Sequence, residues 1–218
     1  MKTAVVSRAL SVRNKRAHEI MGRNFFGVEE AIIHLRVKPT RQQLAALSEI
    51  PFSEAVLEQS KDTHILEAVF PLSILEIRGK VDQKLFYSLE YVWYNKESFA
   101  KKRGEVNWQL VRKTPVDIST LKNGQEQQAL LIKDDKVPSA RVMVYTIIGH
   151  YLATDEWLFK NIHVLTSSVD SGGLSIYVGF FDSEFDSEDV YFFSYGSLRV
   201  DNFYWANDRH DYLAVSVR

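Results

Sequence analysis

A chain that gathers 11 of its 27 aromatic residues into the 33 positions from Phe180 to Tyr212, among eight acids, has few ways to fold around them. The acids are Asp182, Glu184, Asp186, Glu188, Asp189, Asp201, Asp208 and Asp211. Burying such a stretch whole would strand Asn, Asp and His side chains without hydrogen-bond partners. It reads instead as an exposed recognition surface with a few buried anchors. Tyr and Trp offer large rigid contact area, and short polar residues offer adaptable hydrogen bonds. From Asp189 to Arg218 there is no Lys, Glu, Gln or Met, although these four types fill 40 of the 218 positions. Strand-rich segments disfavour Lys and Glu, which accounts for part of that absence.

Composition narrows the rest. A hydrophobic content of 45% suffices for an ordinary core, so 218 residues make one large domain, or one domain with an extension. A net charge of −1 gives nucleic-acid binding no global support. The absence of cysteine removes disulfides, thiolate metal sites and cysteine nucleophiles together. No run of about 18 apolar residues predicts a membrane span, and the N-terminus lacks the apolar core of a secretory signal. A cytoplasmic location is the default expectation.

Along the chain, residues 1–23 carry Lys2, Arg8, Arg13, Lys15, Arg16 and Arg23 against Glu19 alone, and read as a solvated basic tail. Helical spacing follows from Phe26 to Leu35. Thr40 with Gln43 forms a capping box ahead of a helix through Leu44, Leu47 and Ile50, and Ser53 with Glu54 opens another. A helix-turn-helix over 28–50 rests on spacing alone and carries few well-placed basic groups. Residues 65–70 and 72–78 read as strands broken at Pro71, 85–94 as an extended element, and Trp108–Arg112 as a short strand. Residues 119–133 are polar-helical. Pro138 opens the most apolar helix, with Val142, Tyr145, Ile148 and Leu152 in register and His150 facing a core or cap partner. Strands are expected over 162–168 and 174–178 around the Ser171-Gly172-Gly173 turn, and again over 213–217.

Motifs for catalysis and metal binding are lacking. His18, His34, His64, His150, His163 and His210 show no zinc spacing. Asp182, Glu184 and Asp186 match the start of a calcium loop, but Ser187 stands where Gly belongs and Phe193 where Glu belongs. No phosphate-binding glycine loop and no GxSxG are present. No catalytic residue, metal ligand or cofactor is therefore expected.

The pattern Leu198-x-Val200, Trp205, Arg209, Leu213-x-Val215, preceded by Val178-Gly179-Phe180-Phe181-Asp182, resembles the C-terminal end of variable proteins of diversity-generating retroelements. The resemblance covers about the last eighty residues. It implies a C-type lectin fold of the formylglycine-generating-enzyme type, in which a reverse transcriptase miscopies template adenines and rewrites a set of surface positions. Template Asn codons treated in this way cannot yield Lys, Glu, Gln, Met or Trp, which matches the four types missing after Asp189 and makes Trp205 a framework residue. The calcium motifs of lectins and the cysteines of the fold type's oxidases are absent.

The expectation is therefore an α+β chain: a basic tail and helical extension over 1–60, then a C-type-lectin-like domain over 61–218 with a variable region at about 178–218. Its function would be diversified ligand binding, the ligand being unknown and most simply a protein. The binding positions are expected to be Arg199, Asp201, Asn202, Phe203, Tyr204, Ala206, Asn207, Asp208, His210, Asp211, Tyr212 and Ala214. They should share one exposed face, while Leu198, Val200, Trp205, Leu213 and Val215 turn to the core. The alternatives are a hydrolase using the acidic loop 182–189, or a phage-associated assembly protein whose aromatic C-terminus is an oligomer interface.

Overall fold

The computed structural model describes residues 12–87, 92–132, 135–181, 196–203 and 213–217. In chain order, helix α1 (Val12–Met21) leads into strand β1 (Phe25–Phe26) and helices α2 (Val28–His34), α3 (Arg41–Ala46) and α4 (Glu54–Ser60). Strand β2 (His64–Val69) and helix α5 (Ile74–Lys80) follow, then the short helix α6 (Ser98–Lys101), strand β3 (Asn107–Arg112) and helix α7 (Gly124–Ala129). The long helix α8 (Ala140–Thr154) precedes strands β4 (His163–Val169), β5 (Ser175–Phe181), β6 (Ser197–Phe203) and β7 (Leu213–Val215). The architecture is mixed α+β.

Local chemistry starts many of these helices. Thr40 Oγ1 accepts from the Gln43 amide while Gln43 accepts from the Thr40 amide, the reciprocal box expected from the sequence. Ser53, Asn123 and Ser139 cap α4, α7 and α8 in the same way, each accepting an amide from the third residue on. Helix α8 is buried at every position from Ala140 to His150, so it presents no solvent face there. A helix apolar all round must be surrounded, and α8 lies between two sheets.

The first sheet runs β1-β2-β3, with β1 parallel and β3 antiparallel to β2. The second runs β6-β5-β4-β7. Its hairpin β4–β5 turns on Asp170, whose carboxylate accepts from the amides of Gly172 and Leu174, and Gly173 supplies the positive φ of 81°. Val217 and Ser216, just past β7, bond to the backbone of Arg112 and so stitch the second sheet to the end of β3. Phe25, Phe26, Leu47 and Leu57 belong to the same apolar cluster as α8 and both sheets. No packing boundary therefore falls at residue 60.

Several expectations are corrected. Residues 72–78 are not a strand: Ser73 and Glu76 form a reciprocal capping box, and Ile74 and Ile77 are buried one helical turn apart in α5. Of the stretch 85–94, residues 85–87 and 92–94 are described, and these do not form a strand. Leu85 ends a 3-10 turn over Gln83–Leu85, Trp93 opens another over Trp93–Lys96, and Phe86 makes a bridge to Leu198. The basic N-terminal segment is not all solvated tail, since α1 buries Ala17, Ile20 and Met21. Within 119–133 only α7 is helical among the described residues. The apolar helix, the Thr40–Gln43 capping box, the hairpin over 163–181 and the last strand stand where expected.

Candidate ligand-binding face

The second sheet positions the residues singled out in the C-terminal stretch. Alternation along β6 sends Leu198 and Val200 into the core, 1% and 4% exposed, as the framework reading requires. Their strand partners Phe180 and Val178 are buried too. Strand β6 is an edge, and its backbone is not left open. The Tyr87 amide donates to the Leu198 carbonyl at 2.8 Å, and Trp93 Nε1 donates to the Val200 carbonyl at 3.0 Å.

The opposite face is polar. Arg199 lies over the ring of Tyr87, 4.7 Å from its centroid. Next along this face, Asp201 pairs with Tyr177 of β5, and its Oδ2 sits 3.2 Å from His163 Nε2 of β4. Arg199 pairs with Gly179. A Cβ at Gly179 would strike the carbonyl oxygen of Ile162, so only glycine lets residues 160–162 close over β5. Burial lowers the pKa of the Arg199 guanidinium, with Asp201 and Tyr87 opposing, and burial raises the Tyr87 phenol. The face thus brings a cation, a carboxylate, an imidazole and two phenols together across strands that are far apart in sequence.

The twelve expected binding positions are divided by this geometry. Arg199 and Asp201 share the polar face. Asn202 points the other way, to the rim beside the hairpin, where its amide donates to Asp170 Oδ2 at 2.6 Å. Partial burial pushes the Asp170 carboxyl pKa up, but Asn202 and the turn amides outweigh it and leave it lowered. Phe203 ends β6 opposite Ser175. Exposure is not found at Arg199, which is 6% exposed, nor at Ala214, which is fully buried beside Val164. Arg199 lies against the Tyr87 ring, and Ala214 sits beside Val164 of the core. Tyr204, Ala206, Asn207, Asp208, His210, Asp211 and Tyr212 lie outside the described residues, as do Trp205 and the acidic loop 182–189. His163, Tyr177 and Tyr87 were missed by sequence reasoning. His163 opens an apolar strand, which was the one signal on offer.

Strand register also fixes where the undescribed segment 204–212 must begin and end. Phe203 is level with the start of β5, and Leu213 is level with the start of β4. Since β4 and β5 run antiparallel, those starts are at opposite ends of the sheet. Strands β6 and β7 are its two edges, so Phe203 and Leu213 occupy diagonal corners, three strand spacings or roughly 14 Å apart in width.

Among the described residues no group of three or more His, Asp or Glu could hold a metal ion, and no helix is long and apolar enough to cross a membrane. Comparison with family models, curated proteins and solved structures finds no match.

Proposed function

We propose that this chain is a ligand-binding protein of the retroelement-diversified type, with a C-type-lectin-like scaffold over its C-terminal part. Its recognition surface is carried by residues 201–212. The observation that supports the reading is the anchoring of β6 and β7. Leu198, Val200 and Ala214 are locked in the core on either side of a segment rich in Tyr, Asp, Asn and His. Such an arrangement separates residues that must not change from residues free to change. A buried site suffers cavity or overpacking costs of a few kcal/mol with most substitutions. An exposed site changes stability by under about half a kcal/mol. Phe203, Tyr204 and Tyr212 supply the aromatic anchors of binding, and Asp201, Asp208 and Asp211 tune charge complementarity. Arg199 and Ala214, being buried, belong to the scaffold in this reading rather than to the contact surface.

Two libraries test the proposal. One randomises Tyr204, Ala206, Asn207, Asp208, His210, Asp211 and Tyr212 over the residue types reachable from an Asn codon; the other does the same at Leu198, Val200, Ile176 and Val178. Most members of the first should stay soluble with little change in Tm, and most of the second should not fold. Equal loss in both would remove the separation on which the reading depends. Sequencing the flanking DNA adds an independent check. The expected finding is a near-copy of the 3′ coding end, differing at adenines, beside a reverse transcriptase gene.

A further inference from the structure

Away from the C-terminal sheet, three parts of the chain meet around a cavity of about 580 Å³. They are α6 with the loop after it, the first turn of α8, and the end of β4. Its walls carry Lys102, Arg141, Ser98, Ser139, Ser167 and Ser168, and among the described residues no acid is in the lining. We propose that this cavity binds a small organic phosphomonoester.

Each wall contributes something an anion needs. Arg141 is 8% exposed, and its Nη1 donates to the Phe70 carbonyl at 3.1 Å, which holds the side chain in one orientation. The loop reaches it through Gly104, at φ 69°. A Cβ there would lie 2.6–2.8 Å from Nη2, Cζ and Nε, so glycine lets the backbone lie against the guanidinium. A planar guanidinium fixed in this way suits phosphate oxygens. Lys102 stands exposed and adds a second positive charge.

The serines are set to donate. Ser139 Oγ accepts from the Val142 amide at 3.4 Å, and Ser168 Oγ accepts from the Ala140 amide at 3.1 Å. A hydroxyl whose oxygen accepts keeps its proton for another partner. Two described carboxylates on neighbouring elements are otherwise engaged. Glu97 accepts from the amide and hydroxyl of Ser171, and Glu76 is paired with Arg103.

Charge decides the sign of the ligand and volume decides its size. Two cations without an acid among the lining favour a dianion over a neutral or cationic molecule. The cavity falls within the range of roughly 300–1,000 Å³ typical of small-molecule sites and far exceeds a bare phosphate ion. Phe99 and Val169 supply the apolar wall for the organic part.

The test uses the full chain with phenyl phosphate, inorganic phosphate and phenol as probes, followed by calorimetry and ligand-observed NMR. Phenyl phosphate should bind saturably and more tightly than inorganic phosphate, with phenol weakest. Lys102→Glu, at an exposed position, should weaken phenyl phosphate about tenfold or more with Tm unchanged. Ser167→Ala, also exposed, should weaken it several-fold. Arg141→Lys keeps the charge but loses the fork and should likewise weaken binding. If it fails to fold, the Lys102 and Ser167 variants still decide the matter. Absence of saturable binding up to about 10 mM phenyl phosphate would overturn the proposal. So would affinity indifferent to Lys102→Glu. The outcome does not depend on the C-terminal reading, because none of the variants touches residues 196–218.

Discussion

Toward the first sheet, helix α8 offers three polar side chains; toward the second its side chains are apolar and its one described hydrogen bond is made by the Ala140 amide, to Ser168. Tyr145 Oη donates to the Ala68 carbonyl at 2.8 Å, Arg141 to that of Phe70, and Thr146 Oγ1 lies 2.8 Å from Glu67 Oε1. All three contacts reach β2 or the residue just after it. Val164, Ile176, Val178, Leu198 and Val200 of the second sheet share one apolar cluster with Val142, Met143, Ile147 and Ile148, a cluster that also takes in Leu66, Ala68 and Val69 of the first sheet. Apolar packing tolerates small shifts, whereas hydrogen bonds demand register. The hydrogen bonds to the first sheet therefore hold α8 in one rotation and height, while both sheets supply burial.

Glu67 shows how demanding the polar side is. It is 1% exposed in the central strand, and burial pushes its pKa up to about 8, against the hydrogen bond from Thr146 and the charge of Arg141. The geometry agrees. Thr146 has one hydroxyl proton but lies 2.8 Å from Glu67 Oε1 and 2.9 Å from the Val142 carbonyl. If Glu67 is neutral, its O–H donates to Thr146 and Thr146 donates to Val142, so both acceptors are satisfied. Glu67 ionised would leave one of them short.

The contrast between the two contacts can be broken most severely at Gly179. Gly179→Val should destroy the second sheet, because any Cβ there meets the Ile162 carbonyl. The expected loss exceeds about 4 kcal/mol, read as insolubility or loss of the thermal transition. A variant melting within a few degrees of the parent would show that residues 160–162 can move aside. Leu198→Ala comes next at about 2–5 kcal/mol by urea unfolding, the cost of a cavity in a fully apolar contact.

Glu67→Gln sharpens the comparison through pH. Below the ordinary value of 4.5 both folded and unfolded chains hold the Glu67 proton; between 4.5 and about 8 only the folded chain does. Stability therefore falls as pH rises through that window, by about 1.4 kcal/mol per pH unit. His150 acts in the opposite sense. Burial lowers its pKa from 6.5 to about 4, so its contribution rises with pH between those values. The two oppose each other up to pH 6.5, and the fall should emerge between pH 6.5 and 8. Urea unfolding at both pH values should show the fall in the parent and a flatter profile in Glu67→Gln. Identical profiles would mean that Glu67 is not the neutral acid of the core. The smallest effect belongs to the edge of β6. Trp93→Phe removes the bond to the Val200 carbonyl and should cost about 1 kcal/mol in the same assay.

Much of this was legible in the chain, and the misses share a cause. Thr40 with Gln43 and Ser53 ahead of α4 were read from spacing, because a cap involves residues three apart and nothing else. Ser73 with Glu76 is the same signal. It was overlooked because Leu72 to Ile77 is also an apolar run, and a run of that length does not distinguish strand from helix. Arg199 and Ala214 were expected to be exposed because their residue types fit a variable surface. They sit beside strand neighbours 20 and 50 positions away, Gly179 and Val164, which residue type does not report.

Local chemistry alone determined where helices begin, that residues 140–150 must be enclosed, that residues 170–173 turn, and that Leu198 and Val200 face inward. Those properties depend on contacts within a few residues or on the water-avoidance of a run of side chains. Tertiary structure decided which sheets enclose α8, that Glu67 meets Thr146, that His163 meets Asp201, and that Lys102, Arg141 and four serines surround one cavity. Glu67 and Thr146 are 79 positions apart, His163 and Asp201 38, and the joining depends on strand order and register. Hydrophobic burial favours many such orders almost equally, and only the assembled core distinguishes among them.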